Sequence, residues 1–355
     1  MNQPHLQHES RFAQWLAAAP HMKQPTIITC DFDGTLVPRC ADDEAHFTHV
    51  KSASRPAIET LLAPSERIGG VCTSRSILEV KRILDGGFAD WRGRGLHGLS
   101  AAENGAVVFC NRLSSAFEET LKTAGYRLDH SIPGTTAINL SRVTPEHLRD
   151  SVVLPAVAEV HPPPELWSSS VGLNHFRDVF LQLFQMSKHA DPQRTEDACV
   201  RFGSAYVKVY DSADGQGRAL IESLQRHAAA AGVMCLVTPP LPGHPIWTAD
   251  IGGGVTKYDA MKSISNIYST LCGVPEDRLH LMYFGDGEND LPAFQYLSER
   301  GGSSRGFLVD TPHGNRERAK RVSPGTHFVE GFFDIAGVVE GVRRCVTNPL
   351  SPATS

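Results

Sequence analysis

Four short apolar runs constrain this chain most, because each stops abruptly in small or acidic residues instead of continuing into a helix. They are Thr26-Ile27-Ile28-Thr29-Cys30, Ile68-Gly69-Gly70-Val71-Cys72, Ala106-Val107-Val108-Phe109 and Leu279-His280-Leu281-Met282-Tyr283-Phe284. Runs of this length, rich in β-branched and aromatic residues, suit strands buried on both faces of a parallel sheet. Helical patterns separate them at 55–62, 76–84 and 259–271, the second with Ile77, Val80, Ile83 and Leu84 on one face. Strand and helix in alternation predict an α/β fold, a doubly wound parallel sheet with right-handed crossovers.

A chain of 355 residues is long enough for about two domains of roughly 150 residues each. Between about 112 and 248 the texture becomes Pro-punctuated, with an alternating strand pattern at 205–210, an amphipathic helix at 217–231 and a strand at 234–237. This predicts an α+β unit inserted into the α/β core. The core then comprises 24–111 and 249–346, with an N-terminal extension at 1–23 and a flexible tail at 347–355. The 34 basic and 39 acidic residues give a formal charge of −5, which argues against nucleic acid as a partner, since its binders are basic overall or in one block. No apolar stretch approaches the roughly 18 to 20 residues of a membrane span, and the N-terminus lacks the basic start of a signal peptide. Eight cysteines spaced at least ten residues apart, with no CxxC pair, read as reduced thiols. The expected location is the cytoplasm. The oligomeric state is not legible.

The first run leads directly into Asp31-Phe32-Asp33-Gly34-Thr35-Leu36. Two carboxylates at a strand's C-terminal end stand in the crevice where open α/β sheets bind ligands, and Gly34 lets the chain turn sharply after them. After the second run come Thr73-Ser74-Arg75, a hydroxyl donor and a guanidinium suited to an anion. Alone, such a threonine reads as a turn or helix cap. Gly252-Gly253-Gly254-Val255-Thr256-Lys257 places a lysine at a helix start. The phosphate-cradling pattern GxxxxGK[ST] is absent, so the glycines read as a hairpin. After the fourth run, Gly285-Asp286-Gly287-Glu288-Asn289-Asp290 sets Asp286, Asn289 and Asp290 at i, i+3 and i+4, on one side of a helical turn. Read alone this is an acidic helix cap; as a cluster of hard oxygen ligands it suits Mg2+.

In this order, each at a strand end, the four motifs resemble those of the haloacid dehalogenase superfamily of phosphotransferases. The resemblance implies a Rossmann-like core with a cap domain, and it assigns roles. Asp31 would be the nucleophile forming an aspartyl-phosphate, and Asp33 the general acid and then base. Thr73 and Lys257 would hold the phosphoryl oxygens, with Ser74 and Arg75 as further substrate contacts. Mg2+ would be bound by Asp31, the Asp33 main-chain carbonyl and Asp286, with Asn289 and Asp290 in support. Ser74 and Tyr258 stand where the sugar-phosphatase branch usually has glycine.

Forty residues separate Asp33 from Thr73, whereas 184 separate Thr73 from Lys257, so a large cap lies between the second and third motifs. With Glu103-Asn104-Gly105-Ala106 just before it, this arrangement is similar to the Cof-like sugar phosphatases with a type-II cap, relatives of trehalose-, sucrose- and mannosylglycerate-phosphate phosphatases. The implied function is a Mg2+-dependent phosphoric monoester hydrolase acting on a small phosphorylated metabolite, a sugar or polyol phosphate. The alternatives are a phosphotransferase or mutase of the same superfamily and a non-catalytic phospho-ligand-binding protein. Mutases there usually carry the cap between the first two motifs, where this chain has only 40 residues. Glu103-Asn104-Gly105 reads as a turn between strands, with a second reading that brings Glu103 or Asn104 near the substrate. Trp167, His175, Arg177 and Lys208 are candidate sugar contacts. His97 reads as structural.

Overall fold

In chain order the strands are β1 (Thr26–Cys30), β2 (Arg67–Val71), β3 (Ser100–Ala102), β4 (Val107–Asn111), β5 (Thr135–Asn139), β6 (Ser204–Tyr210), β7 (Met234–Thr238), β8 (Ile246–Gly252), β9 (His280–Gly285), β10 (Arg305–Val309) and β11 (His327–Val329). They come from a computed structural model that describes residues 11–36, 55–84, 96–160, 201–210, 216–240, 246–302, 304–309 and 327–329. Five strands form a parallel sheet in the order β11-β10-β9-β1-β2. All five residues of β1 are buried, as are all six of β9, as expected for strands covered on both faces. With β1 between β9 and β2, the loops that leave these three strands at their C-terminal ends converge on one crevice.

The run at 106–109 departs from the expectation of a parallel strand, because β4 pairs antiparallel with β3 and β5. Only residues 103–106 connect β3 to β4, far too short for the crossover that a parallel neighbour requires. This small sheet is tied to the edge of β2 through a bridge between Cys72 and Ala101 and a hydrogen bond from Gly98 N–H to Gly69 O. Gly70 makes the approach feasible: a Cβ there would lie 1.9 Å from the Leu99 carbonyl oxygen.

A third sheet, β6-β8-β7, is antiparallel. Helices α5 (Leu154–Val160) and α6 (Gln216–Ala230) share with it a separate apolar cluster that includes Val157, Val207, Leu220, Leu224, Ala249 and Ile251. The stretch 112–248 also contains α4 (Ser115–Thr123) and β5. β5 pairs with β4, and Leu121 of α4 and Ile138 of β5 join the cluster around α7 (Lys257–Cys272).

Helix α7 is central. Thr256 caps it in a box with Asp259, and Gly273 ends it in the left-handed conformation. Its buried Ala260, Met261, Ile264, Ile267, Tyr268 and Leu271 recur every three or four residues, each large apolar side chain contributing about 1.5–3 kcal/mol. The residues read as an extension include α1 (Arg11–Ala18), whose Phe12 and Trp15 make T-shaped ring contacts with Tyr268. Helix α8 (Leu291–Arg300) follows β9. Among the described residues no helix is long and apolar enough to cross a membrane, and Cys30, Cys72, Cys110, Cys235 and Cys272 form no disulfide.

Candidate active site

Asp31 leaves the end of β1 with its N–H on the Phe284 carbonyl of β9, 2.7 Å away, and its carboxylate accepting the Phe32 N–H at 2.8 Å. Asp286 emerges next to it, one residue beyond β9, and Asp290 follows one short 3-10 turn later. Oxygens of Asp31, Asp286 and Asp290 lie within 4.8 Å of one another, and all three residues are buried. One ammonium serves them. Lys257, the first residue of α7 and 0% exposed, places Nζ 2.6 Å from Asp290 Oδ1 and 3.1 Å from Asp31 Oδ1.

Asp290 is committed to the protein: it also accepts the Tyr283 hydroxyl and the Gly287 N–H. Burial pushes the Asp31 carboxyl up to about 8, with Asp290, Asp286 and Asp33 adding to the rise and Lys257 opposing it. For Lys257, burial acts to lower the pKa, but Asp290 and Asp31 more than offset it, so the lysine stays charged.

These donors fit Mg2+. The ion takes hard oxygens, typically one or two carboxylates completed by water and substrate phosphate, and three buried carboxylates beside one ammonium retain negative charge for a cation to neutralise. Gly34 provides the room: at φ +89° it passes so close to Asp286 that a Cβ would lie 2.3 Å from Oδ2. With Asp290 held by Lys257 and Tyr283, Asp31 and Asp286 are the carboxylates that would hold the ion.

The second motif closes the other side of the crevice. Thr73 is buried, and its hydroxyl oxygen accepts the Arg75 N–H at 3.4 Å, which leaves its own O–H to donate. Arg75, read as an anion contact, forms a bidentate pair with Asp33, both bonds 2.8 Å, and stacks over Phe32. The Ser74 carbonyl accepts from Arg201 at 3.1 Å. The structure therefore brings together Asp31, Asp286, Asp290 and Lys257, with Asp33 and Thr73 alongside, whereas Asn289 turns to donate to Asn104.

Sequence reasoning missed Tyr283, Arg201 and Asp250. Arg201 is a buried guanidinium 3.4 Å from Asp250 and over the Tyr206 ring. Asp250 also accepts from the Asn104 amide at 3.0 Å. Its signal was a carboxylate between the buried Ala249 and Ile251, legible only once β8 is recognised as a strand. Glu103 does not stand open to a ligand: it is 2% exposed, and its carboxylate accepts Phe202 N–H, Gly203 N–H and Ser204 Oγ–H. His97 is half-buried, and burial, with Arg11 nearby, lowers its pKa. Lys208 lies on β6; Trp167, His175 and Arg177 fall outside the described residues.

Burial pushes the Asp250 carboxyl up to about 6; Arg201, the Asn104 amide and Lys257 pull against that, and Glu103 adds to it. An acid whose folded pKa exceeds its unfolded value of about 3.9 binds its proton more tightly when folded. Its contribution to stability is therefore full below about pH 4 and lost as pH rises through 6. Measured by urea unfolding, wild-type stability minus that of Asp250→Asn should rise by about 2 kcal/mol from about pH 7 to pH 4. A difference that stays flat would show that Asp250 titrates normally.

No protein-family model matches the chain, and no curated protein does. Among solved structures, the C-terminal domain of a C. albicans trehalose-6-phosphate phosphatase is similar, with TM-score 0.51 and 13% identity over 96% of this chain and 98% of that one. A trehalose-6-phosphate phosphatase of Aspergillus fumigatus gives 0.42 at 14% identity, covering 95% of this chain and 97% of its own. The C-terminal domain of a Candida albicans trehalose synthase regulatory protein gives 0.47 at 9%, covering 92% and 96%. The last two likenesses are too loose to carry an argument. The first shows the fold alone, a Rossmann-like parallel α/β core with an inserted α+β unit.

Proposed function

We propose that this chain is a Mg2+-dependent phosphomonoesterase acting on a small phosphorylated sugar or polyol. The observation that carries the reading is the placement of Asp31: a buried carboxylate at the mouth of β1, between the Lys257 ammonium and Asp286, at the crevice where the sheet opens. A carboxylate approaching a phosphate dianion meets like-charge repulsion. Lys257 and the Thr73 hydroxyl reduce it by taking phosphoryl oxygens, while Asp31 attacks phosphorus and forms an aspartyl-phosphate. Mg2+ bound by Asp31, Asp286 and the Asp33 carbonyl would neutralise the charge that builds on the phosphoryl group.

Asp33 then serves as acid to the leaving alkoxide and as base to the incoming water. Its bidentate pair with Arg75 favours the ionised carboxylate, the form the base needs; giving a proton to the leaving group requires Arg75 to turn away, towards the phosphate. The β6-β8-β7 unit acts as the cap that excludes water and selects the leaving group. We place its body after β5, between about 143 and 252.

The test is phosphate release from a panel of sugar and polyol phosphates, trehalose 6-phosphate and sucrose 6-phosphate among them. Release should require Mg2+ and cease in EDTA. Activity that survives EDTA would sink the reading.

A further inference from the structure

Three passages of the chain lie side by side where the core meets the β6-β8-β7 unit, around Ser141, Phe202 and Gly253, and they pack tightly. A Cβ on Gly203 would lie 2.2 Å from the Ser141 Cβ, and one on Gly253 would lie 2.5 Å from a Val143 methyl. Asn139 donates to the Phe202 carbonyl at 3.0 Å, and the Ser141 hydroxyl is shared by the carbonyls of Val143 and Gly203, both 3.1 Å away. These neutral bonds join one passage to another. The turn at Glu103-Asn104 joins them to the core.

Glu103 spends its buried carboxylate on the second passage, accepting Phe202 N–H at 2.9 Å, Gly203 N–H at 3.1 Å and the Ser204 hydroxyl at 2.9 Å. A charged acceptor makes each of these bonds stronger than a neutral one. Asn104 reaches the third passage through Asp250 and the fourth motif through Asn289. On the core side, the same two residues donate their N–H groups to the carbonyls of Arg75 and Thr73, each at 2.9 Å. Both adopt positive φ, 54° and 53°, a conformation costly for a residue with a side chain and held only where the surroundings over-determine it. The turn therefore cannot shift without dragging the Thr73 loop or releasing the second passage.

We infer that Glu103 is a positioning residue, the anchor that fixes where the inserted unit stands over the Thr73 loop and so sets the enclosure of the substrate's leaving group. Its effect on catalysis rests on the phosphatase reading; its effect on placement does not. Glu103→Gln keeps the size of the side chain but replaces one acceptor oxygen by an NH2 that faces N–H and O–H donors.

In the full-length chain, hydrogen–deuterium exchange of Glu103→Gln should be at least about tenfold faster over 202–210 and 246–252, with β1 and β9 as protected as in the wild type. Ser204→Ala, which removes one of the three bonds, should give a smaller rise in the same segments. With Mg2+ and p-nitrophenyl phosphate as probe, Glu103→Gln should raise KM about tenfold and change kcat less than about twofold. Unchanged exchange over those segments, or a rise shared equally by β1 and β9, overturns the inference. A fall in kcat at unchanged KM also overturns it, since Glu103 would then act on the chemistry. If even the wild type hydrolyses no phosphate ester, the phosphatase reading fails and the exchange measurement still decides the anchor.

Discussion

Asp31→Asn should abolish phosphate release, with turnover falling on the order of 10³-fold or more, while the chain stays folded. The carboxamide is nearly the shape of the carboxylate and can still accept the Phe32 N–H, so the turn after β1 loses little. Its lone pairs are too weakly basic to attack phosphorus, and no other carboxylate among the described residues can replace it. Asp290 is occupied by Lys257, Tyr283 and Gly287, Asp33 is paired with Arg75, and Asp286 leaves a different strand. Stability should not fall, because burial and the neighbouring Asp290 and Asp286 already disfavour a charged carboxylate at this position, and a neutral carboxamide escapes that cost. Turnover and thermal unfolding measured on the same preparation separate the two effects. Turnover within about tenfold of the wild type would remove Asp31 as nucleophile, and a collapse of the fold would mean that Asp31 is needed for structure.

The parts of this site that could be read in the sequence are those encoded within a few residues. Asp31 and Asp33 follow an apolar run ending in Cys30, and Asp286 follows one ending in Phe284, so strand end and acidic residue are adjacent in the text. Partnerships across the chain leave no such mark. Lys257 and Asp290 are 33 residues apart, and nothing local marks the lysine as the partner of a buried carboxylate. Arg75 looked free to hold an anion because Asp33, 42 residues earlier, is brought beside it only when β1 and β2 pair.

The same limit explains the strands. β8 was hidden because Pro240, Pro242 and Pro245 crowd its start and the glycines after Ile251 resemble a turn, although Ala249, Asp250 and Ile251 alternate as a strand should and β8 is the middle strand of its sheet. The run at β4 was read as parallel because burial on both faces shows in composition, whereas strand direction depends on the length of the connection. Helix α1 looked like an appendage because its apolar face, Phe12, Trp15 and Leu16, is short; what gives it a place is Tyr268, more than 250 residues later. Glu103 is the clearest case. As text it is part of a turn, and its three partners lie about a hundred residues away.

Lys257→Met should be the most damaging single change to stability near the site, costing about 3–5 kcal/mol. Methionine nearly fills the volume of the lysine stem, so the loss is electrostatic. Lys257 is 0% exposed and touches Asp290 at 2.6 Å and Asp31 at 3.1 Å; without it two buried carboxylates face each other, with the Tyr283 hydroxyl and single backbone N–H groups as their remaining donors. A buried charge stripped of its partner costs far more than the intact pair contributes. Turnover should fall as well, by about 10²–10³-fold, since one preorganised donor to the phosphoryl oxygens is gone. The decisive comparison is the double variant Lys257→Met/Asp290→Asn. Removing both members of a buried pair is nearly neutral where removing one is not, so the second change should restore most of the lost stability, measured by denaturant unfolding, and none of the activity. A double variant no more stable than Lys257→Met would show that the lysine is held in place by something other than Asp290. A double variant that regained turnover would show that the ammonium is a strut for Asp290 with no part in holding phosphate.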